Sequence, residues 1–72
     1  MTKLPALSGI ALVRILTRAG LSFVRQRGNH VSMQRGPFRT VIPLHDELAP
    51  GVVMEIIEQT GLSCEVVGEL HS

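Results

Sequence analysis

Histidine is the side chain best matched to moving a proton near neutral pH, and this sequence has three, at positions 30, 45 and 71. His30 follows a Gly28-Asn29 pair, a turn signal that lets the backbone approach a ligand closely, and Arg25, Arg27 and Arg35 lie within five residues of it. Arginine offers planar, permanently charged donors that match phosphate oxygens, so the chemistry in view is proton transfer beside a phosphodiester. His45, in Pro43-Leu44-His45, is a secondary candidate. His71 is read as a solvated side chain and carries no hypothesis.

Other reaction types find little support. The sequence has no paired-carboxylate pattern, nucleophile elbow, phosphate loop or dinucleotide glycine fingerprint. Cys64 and His71 are seven residues apart in a short terminal segment, with nothing to orient the imidazole as a base. As the single cysteine, Cys64 cannot close a disulfide within the chain, and no Cys-x-x-Cys or paired Cys/His spacing suggests zinc. No metal and no other cofactor is expected, and a reducing cytosol fits best.

The net charge of +1 conceals a polarised chain, in which all seven Lys and Arg lie between Lys3 and Arg39 and all six carboxylates between Asp46 and Glu69. Segregation of this kind produces a basic face that attracts phosphate. With no Trp or Tyr and only Phe23 and Phe38, the sequence lacks the aromatic platforms that stack splayed bases. Binding is therefore expected to rest on arginine–phosphate contacts, with strong salt dependence and weak sequence preference. The same basic side suits an acidic protein partner.

These side chains need a scaffold, and 72 residues suffice for one small domain of modest stability. Ser8 is a good N-cap, and Ile10, Leu12, Val13, Ile15, Leu16 and Ala19 recur at helical spacing up to Gly20, predicting a helix over 9–19. Arg14 and Arg18 form a basic edge on its other face. From Ser22 the period changes to two. Phe23, Arg25 and Arg27 are expected on one side of a strand and Ser22, Val24 and Gln26 on the other. Strands over 30–35 and 38–42 follow, separated by Gly36-Pro37, so three antiparallel strands form a meander that brings in Arg39. Pro43 to Pro50 reads as a loop, and Val52, Val53, Ile56 and Ile57 mark a second helix ending at Gly61. Ser63 is placed to cap a last short helix, and the tail over 64–72 is expected to fray. Leu4 to Val13 has the look of a leader core, but Pro5, Ser8 and Gly9 interrupt it and no small-x-small site follows, so no export signal is read. No apolar run is long enough to span a bilayer, and no membrane partner is expected.

The runs Leu16-Thr17-Arg18-Ala19-Gly20-Leu21, Arg25-Gln26-Arg27-Gly28-Asn29-His30, Pro43-Leu44-His45, Gly51 through Ile57 and Gly61-Leu62-Ser63 together resemble the HicA-type (YcfA-like) mRNA interferase toxins. The resemblance covers about Ser8 to Ser63, making residues 1–72 a single HicA-like domain. It implies an α+β, double-stranded-RNA-binding-domain-like fold in the order helix-strand-strand-strand-helix, with both helices on one face of a three-stranded antiparallel sheet. It also implies metal-independent endoribonuclease activity on mRNA, a cytoplasmic setting, and a HicB-type antitoxin through which alone the chain would oligomerise. The glycine and catalytic histidine of the family fall on Gly28 and His30. Two positions depart from its pattern: Asn29 stands where serine is usual and Leu21 where an aromatic is usual. Under this reading Arg14, Arg18, Arg25, Arg27, Arg35 and Arg39 bind RNA, Gly28 and Asn29 shape the turn, and His30 acts as general acid or base. The competing reading is a non-catalytic RNA-binding adaptor in which His30 packs or bonds locally. A DNA-binding repressor subunit is weaker, because no helix-turn-helix spacing appears.

Overall fold

The computed structural model describes residues 7–71, without the side chains of Leu70 and His71. Lys3, the first part of the leader-like stretch and the side chain of His71 therefore lie outside the described residues. The element order is α1 (Gly9–Arg18), β1 (Ser22–Arg27), β2 (His30–Arg35), β3 (Phe38–Pro43), α2 (Pro50–Thr60) and α3 (Cys64–His71). This is the expected α+β order of helix, three strands and helix, with a further short helix.

Local chemistry fixes each boundary. Ser8 caps α1, its Oγ accepting the Ala11 N–H at 3.1 Å. At the other end the Gly20 N–H donates to the Thr17 carbonyl and the Leu21 N–H to the Leu16 carbonyl, with Gly20 at φ 100°. This is a Schellman stop, and the buried pair Leu16 and Leu21 supplies its hydrophobic contact. Both hairpins close through two-residue turns, Gly28-Asn29 and Gly36-Pro37, in which only the glycine has positive φ, as in a type II′ turn. Gln26 Nε2 donates to the Gly28 carbonyl and Gln34 Nε2 to the Gly36 carbonyl, each at 3.0 Å, so one device ties both turns.

The strands form one antiparallel meander in the order β1-β2-β3. Val31, Met33 and Ile42 point to one face and join Leu12, Ile15, Leu16, Val53, Ile56 and Ile57 in a single core. Both long helices thus cover the same side of the sheet, each fully buried aliphatic contributing about 1.5–3 kcal/mol. The other side is open.

Two local expectations change. The pairing skips Val24, with Phe23 opposite Met33 and Arg25 opposite Ser32. This bulge reverses the alternation, so Phe23 faces the helix side while Arg25 and Arg27 face away from it. Pro50 belongs to α2 rather than to the preceding loop, because the first helical turn has no use for its missing N–H. The last short helix forms as expected: Cys64–His71 is α3, the Val66 N–H donates to Ser63 Oγ at 3.2 Å, and Val67 is only 1% exposed in the core.

Candidate nucleic-acid interface

Cross-strand pairing determines what the open face carries. His30 lies between Arg27 on β1 and Pro43 on β3; Ser32 lies between Arg25 and Val41; Gln34 lies between Ser22 and Arg39. Directly paired side chains stand about 5 Å apart at Cβ. One face therefore brings together His30, Arg25, Arg27 and Arg39, all exposed. Ser22, Ser32 and Gln34 add neutral donors and acceptors that the sequence does not single out, although strand alternation points to them. No carboxylate lies on α1 or any strand, since all six fall between Asp46 and Glu69.

His30 stands at the end of this face where three segments converge. The Leu44 N–H donates to the Asn29 carbonyl at 2.6 Å, and the Gly9 N–H to the His45 carbonyl at 2.9 Å. The Gly28-Asn29 turn, the Pro43–His45 segment and the start of α1 are thereby held as one unit. Gly9 is required there: a Cβ at that position would meet the Pro43 carbonyl oxygen at 2.1 Å and the Leu44 Cα at 2.7 Å. His45 is exposed at this same end of the sheet.

Arg35 does not join this group. Its parity in β2 directs it to the helix side, where Nη2 donates to the Thr60 carbonyl at 2.8 Å and the guanidinium lies 5.1 Å from the centre of the Phe38 ring. It satisfies one of the carbonyls left open at the end of α2, where a cation also complements the helix dipole. Arg35→Ala is expected to lower stability by about 2 kcal/mol, from a charged hydrogen bond and a cation–π contact. Urea denaturation measures this loss. Arg14 and Arg18 lie on α1, exposed but away from the open sheet face.

Among the described residues no group of three or more His, Cys, Asp or Glu is arranged to hold a metal ion, and no helix is long and apolar enough to cross a membrane. Fold and face together define a small α+β module with a cationic, histidine-bearing sheet surface. A family model for the HicA toxin of bacterial toxin-antitoxin systems matches residues 11–62, and the chain belongs to that family. A search of curated protein sequences gives no match. The chain is thus a toxin-family protein, and the family match spans α1, the whole sheet and α2.

Proposed function

We propose that this chain is the toxin of a toxin–antitoxin pair and acts as a metal-independent endoribonuclease on mRNA. The observation that carries this reading is the placement of His30 beside Arg27 on an open face that also holds Arg25 and Arg39 and has no carboxylate. A phosphodiester strand lying across that face meets arginine donors first and the imidazole at the turn end. The absence of Trp and Tyr leaves contacts to the backbone rather than to the bases.

In this mechanism His30 removes the proton from a ribose 2′-hydroxyl as the 2′-oxygen attacks the adjacent phosphorus. The bond from phosphorus to the 5′-oxygen breaks, that oxygen takes up a proton, and the upstream fragment ends in a 2′,3′-cyclic phosphate. Arg27 and Arg25 stabilise the negative charge that grows on the non-bridging oxygens. His45, on the segment tied to Asn29, supplies the second imidazole at that end of the sheet. The partner is a HicB-type antitoxin, and the setting is the cytoplasm, where mRNA is available.

Replacing one ribose by 2′-deoxyribose at a mapped cut site tests the reaction. The substituted bond is expected to survive while neighbouring cut sites are used, and all-RNA products should carry cyclic phosphate ends. Cleavage of the deoxy-substituted bond at the unmodified rate contradicts 2′-oxygen attack. Binding has its own signature. Arg27→Ala is expected to weaken affinity for a single-stranded RNA of any sequence and to reduce the slope of log K against log salt by about 0.7, one phosphate contact. Fluorescence anisotropy across a salt series measures both, and Arg35→Ala should change neither.

A further inference from the structure

The helix side of the sheet is not fully covered. Between α1 and β1 lies a groove of 420 Å³ lined by Ile10, Val13, Phe23 and Leu44, with Arg14 and Gln26 also on its wall. Phe23 and Ile10, at 59% and 54%, are the most exposed large hydrophobic side chains among the described residues, and both line this groove. Phe23 is there because the bulge at Val24 turns it away from the arginine face. An apolar groove of this size suits a large side chain and the backbone next to it far better than a phosphate.

We propose that this groove is the docking site of the antitoxin, which anchors there through one or two large apolar side chains on an acidic segment. The acidic character follows from charge. Arg14 lines the groove, Arg25 and Arg27 lie on the opposite face of the same strand, β1, and neither α1 nor β1 carries a carboxylate. An acidic flank is therefore attracted, and a basic one repelled, along the α1 and β1 walls of the groove, whereas Asp46 and Glu47 follow its Leu44 wall. The anchor is a side chain rather than an added strand. Although β1 is an edge of the sheet, its bulge interrupts the row of backbone groups that an extra strand would use.

The groove also communicates with the candidate site. Val31, which forms part of its wall, directly follows His30, and Gln26 Nε2 holds the Gly28 carbonyl of the turn. A segment seated in the groove lies against Val31 and Gln26, the neighbours in sequence and in hydrogen bonding of the turn that presents His30. The identity of the partner rests on the toxin–antitoxin reading; the groove, its apolar lining and its charge do not.

The test uses the full chain and the antitoxin encoded with it. Ile10→Glu and Phe23→Glu are each expected to weaken antitoxin binding at least tenfold by calorimetry, whereas Phe23→Leu stays within about threefold of wild type. Both glutamates replace side chains that are already more than half exposed, and their circular dichroism spectra check the fold. In RNA cleavage without antitoxin, both glutamate variants should match wild type; with antitoxin, they should resist inhibition. Unchanged antitoxin affinity in both variants overturns the proposal. Loss of RNA cleavage without antitoxin also overturns it, making the groove part of the RNA surface. If the wild type binds antitoxin through the groove yet cleaves no RNA, the docking site stands and the ribonuclease reading fails.

Discussion

His30→Ala is expected to slow RNA cleavage by about 10² to 10⁴-fold, the range associated with loss of a positioned general acid or base. The imidazole is exposed at the end of β2, makes no hydrogen bond that holds the fold, and lies beside Arg27 rather than in the core. Removing it should leave stability within about 0.5 kcal/mol, as for other surface substitutions. Affinity for RNA should stay near that of wild type, because Arg25, Arg27 and Arg39 remain. The distinguishing result is a fall in the single-turnover rate with little change in the RNA concentration at half-saturation. A parallel loss of affinity would instead make His30 a binding residue.

Gly9→Ala is expected to be the most damaging glycine-to-alanine change among the described residues, costing about 3 kcal/mol of stability, at the upper end for overpacking. The added Cβ meets the Pro43 carbonyl oxygen and the Leu44 Cα, both backbone atoms that cannot rotate out of the way. To make room, α1 must move off the Pro43–His45 segment, which also threatens the 2.9 Å bond from the Gly9 N–H to the His45 carbonyl. In a domain of this length that is a large share of a total of roughly 4–10 kcal/mol, and the melting temperature should fall by more than about 10 °C. Gly68→Ala is the matched contrast. A Cβ there meets nothing within 4 Å, and the position is inside α3, so stability should rise by up to about 1 kcal/mol. Thermal unfolding of both variants, followed by circular dichroism, separates close backbone approach from helix propensity.

The punctuation of this sequence made its elements legible. Ser8, Gly20, Gly28, Gly36 and Gly61 each stand where a cap or turn needs that residue type, and periodicity between them fixed helix or strand. What could not be read locally depended on distant neighbours. Gly9 looks like an ordinary first helical residue until Pro43 and Leu44 are placed against it. The bulge at Val24 is a matter of register, and simple alternation put Phe23 on the wrong side. Ser63 signals the start of α3, but that Val67 docks in the core is visible only once the helix is placed.

The candidate site shows the same division. Gln26-Arg27-Gly28 and Gln34-Arg35-Gly36 are the same tripeptide, each ending a strand at a turn, yet their arginines serve opposite sides of the sheet. Counting along β2 from His30 assigns Arg35 to the side of Val31 and Met33, so this distinction was available from parity. Its partner, the Thr60 carbonyl at the end of α2, was not, because nothing local joins those two positions. Nearness in sequence groups Arg35 with His30, whereas strand pairing sets His30 beside Arg27 and on the same face as Arg25 and Arg39.

The most direct measurement incubates the purified chain and its His30→Ala variant with end-labelled single-stranded RNA in excess chelator and separates the products by length. Discrete fragments from the wild type, with almost none from a folded and RNA-binding variant, are the predicted result. Equal cleavage by both, or intact RNA with a wild type that binds it, would contradict a ribonuclease that works through His30.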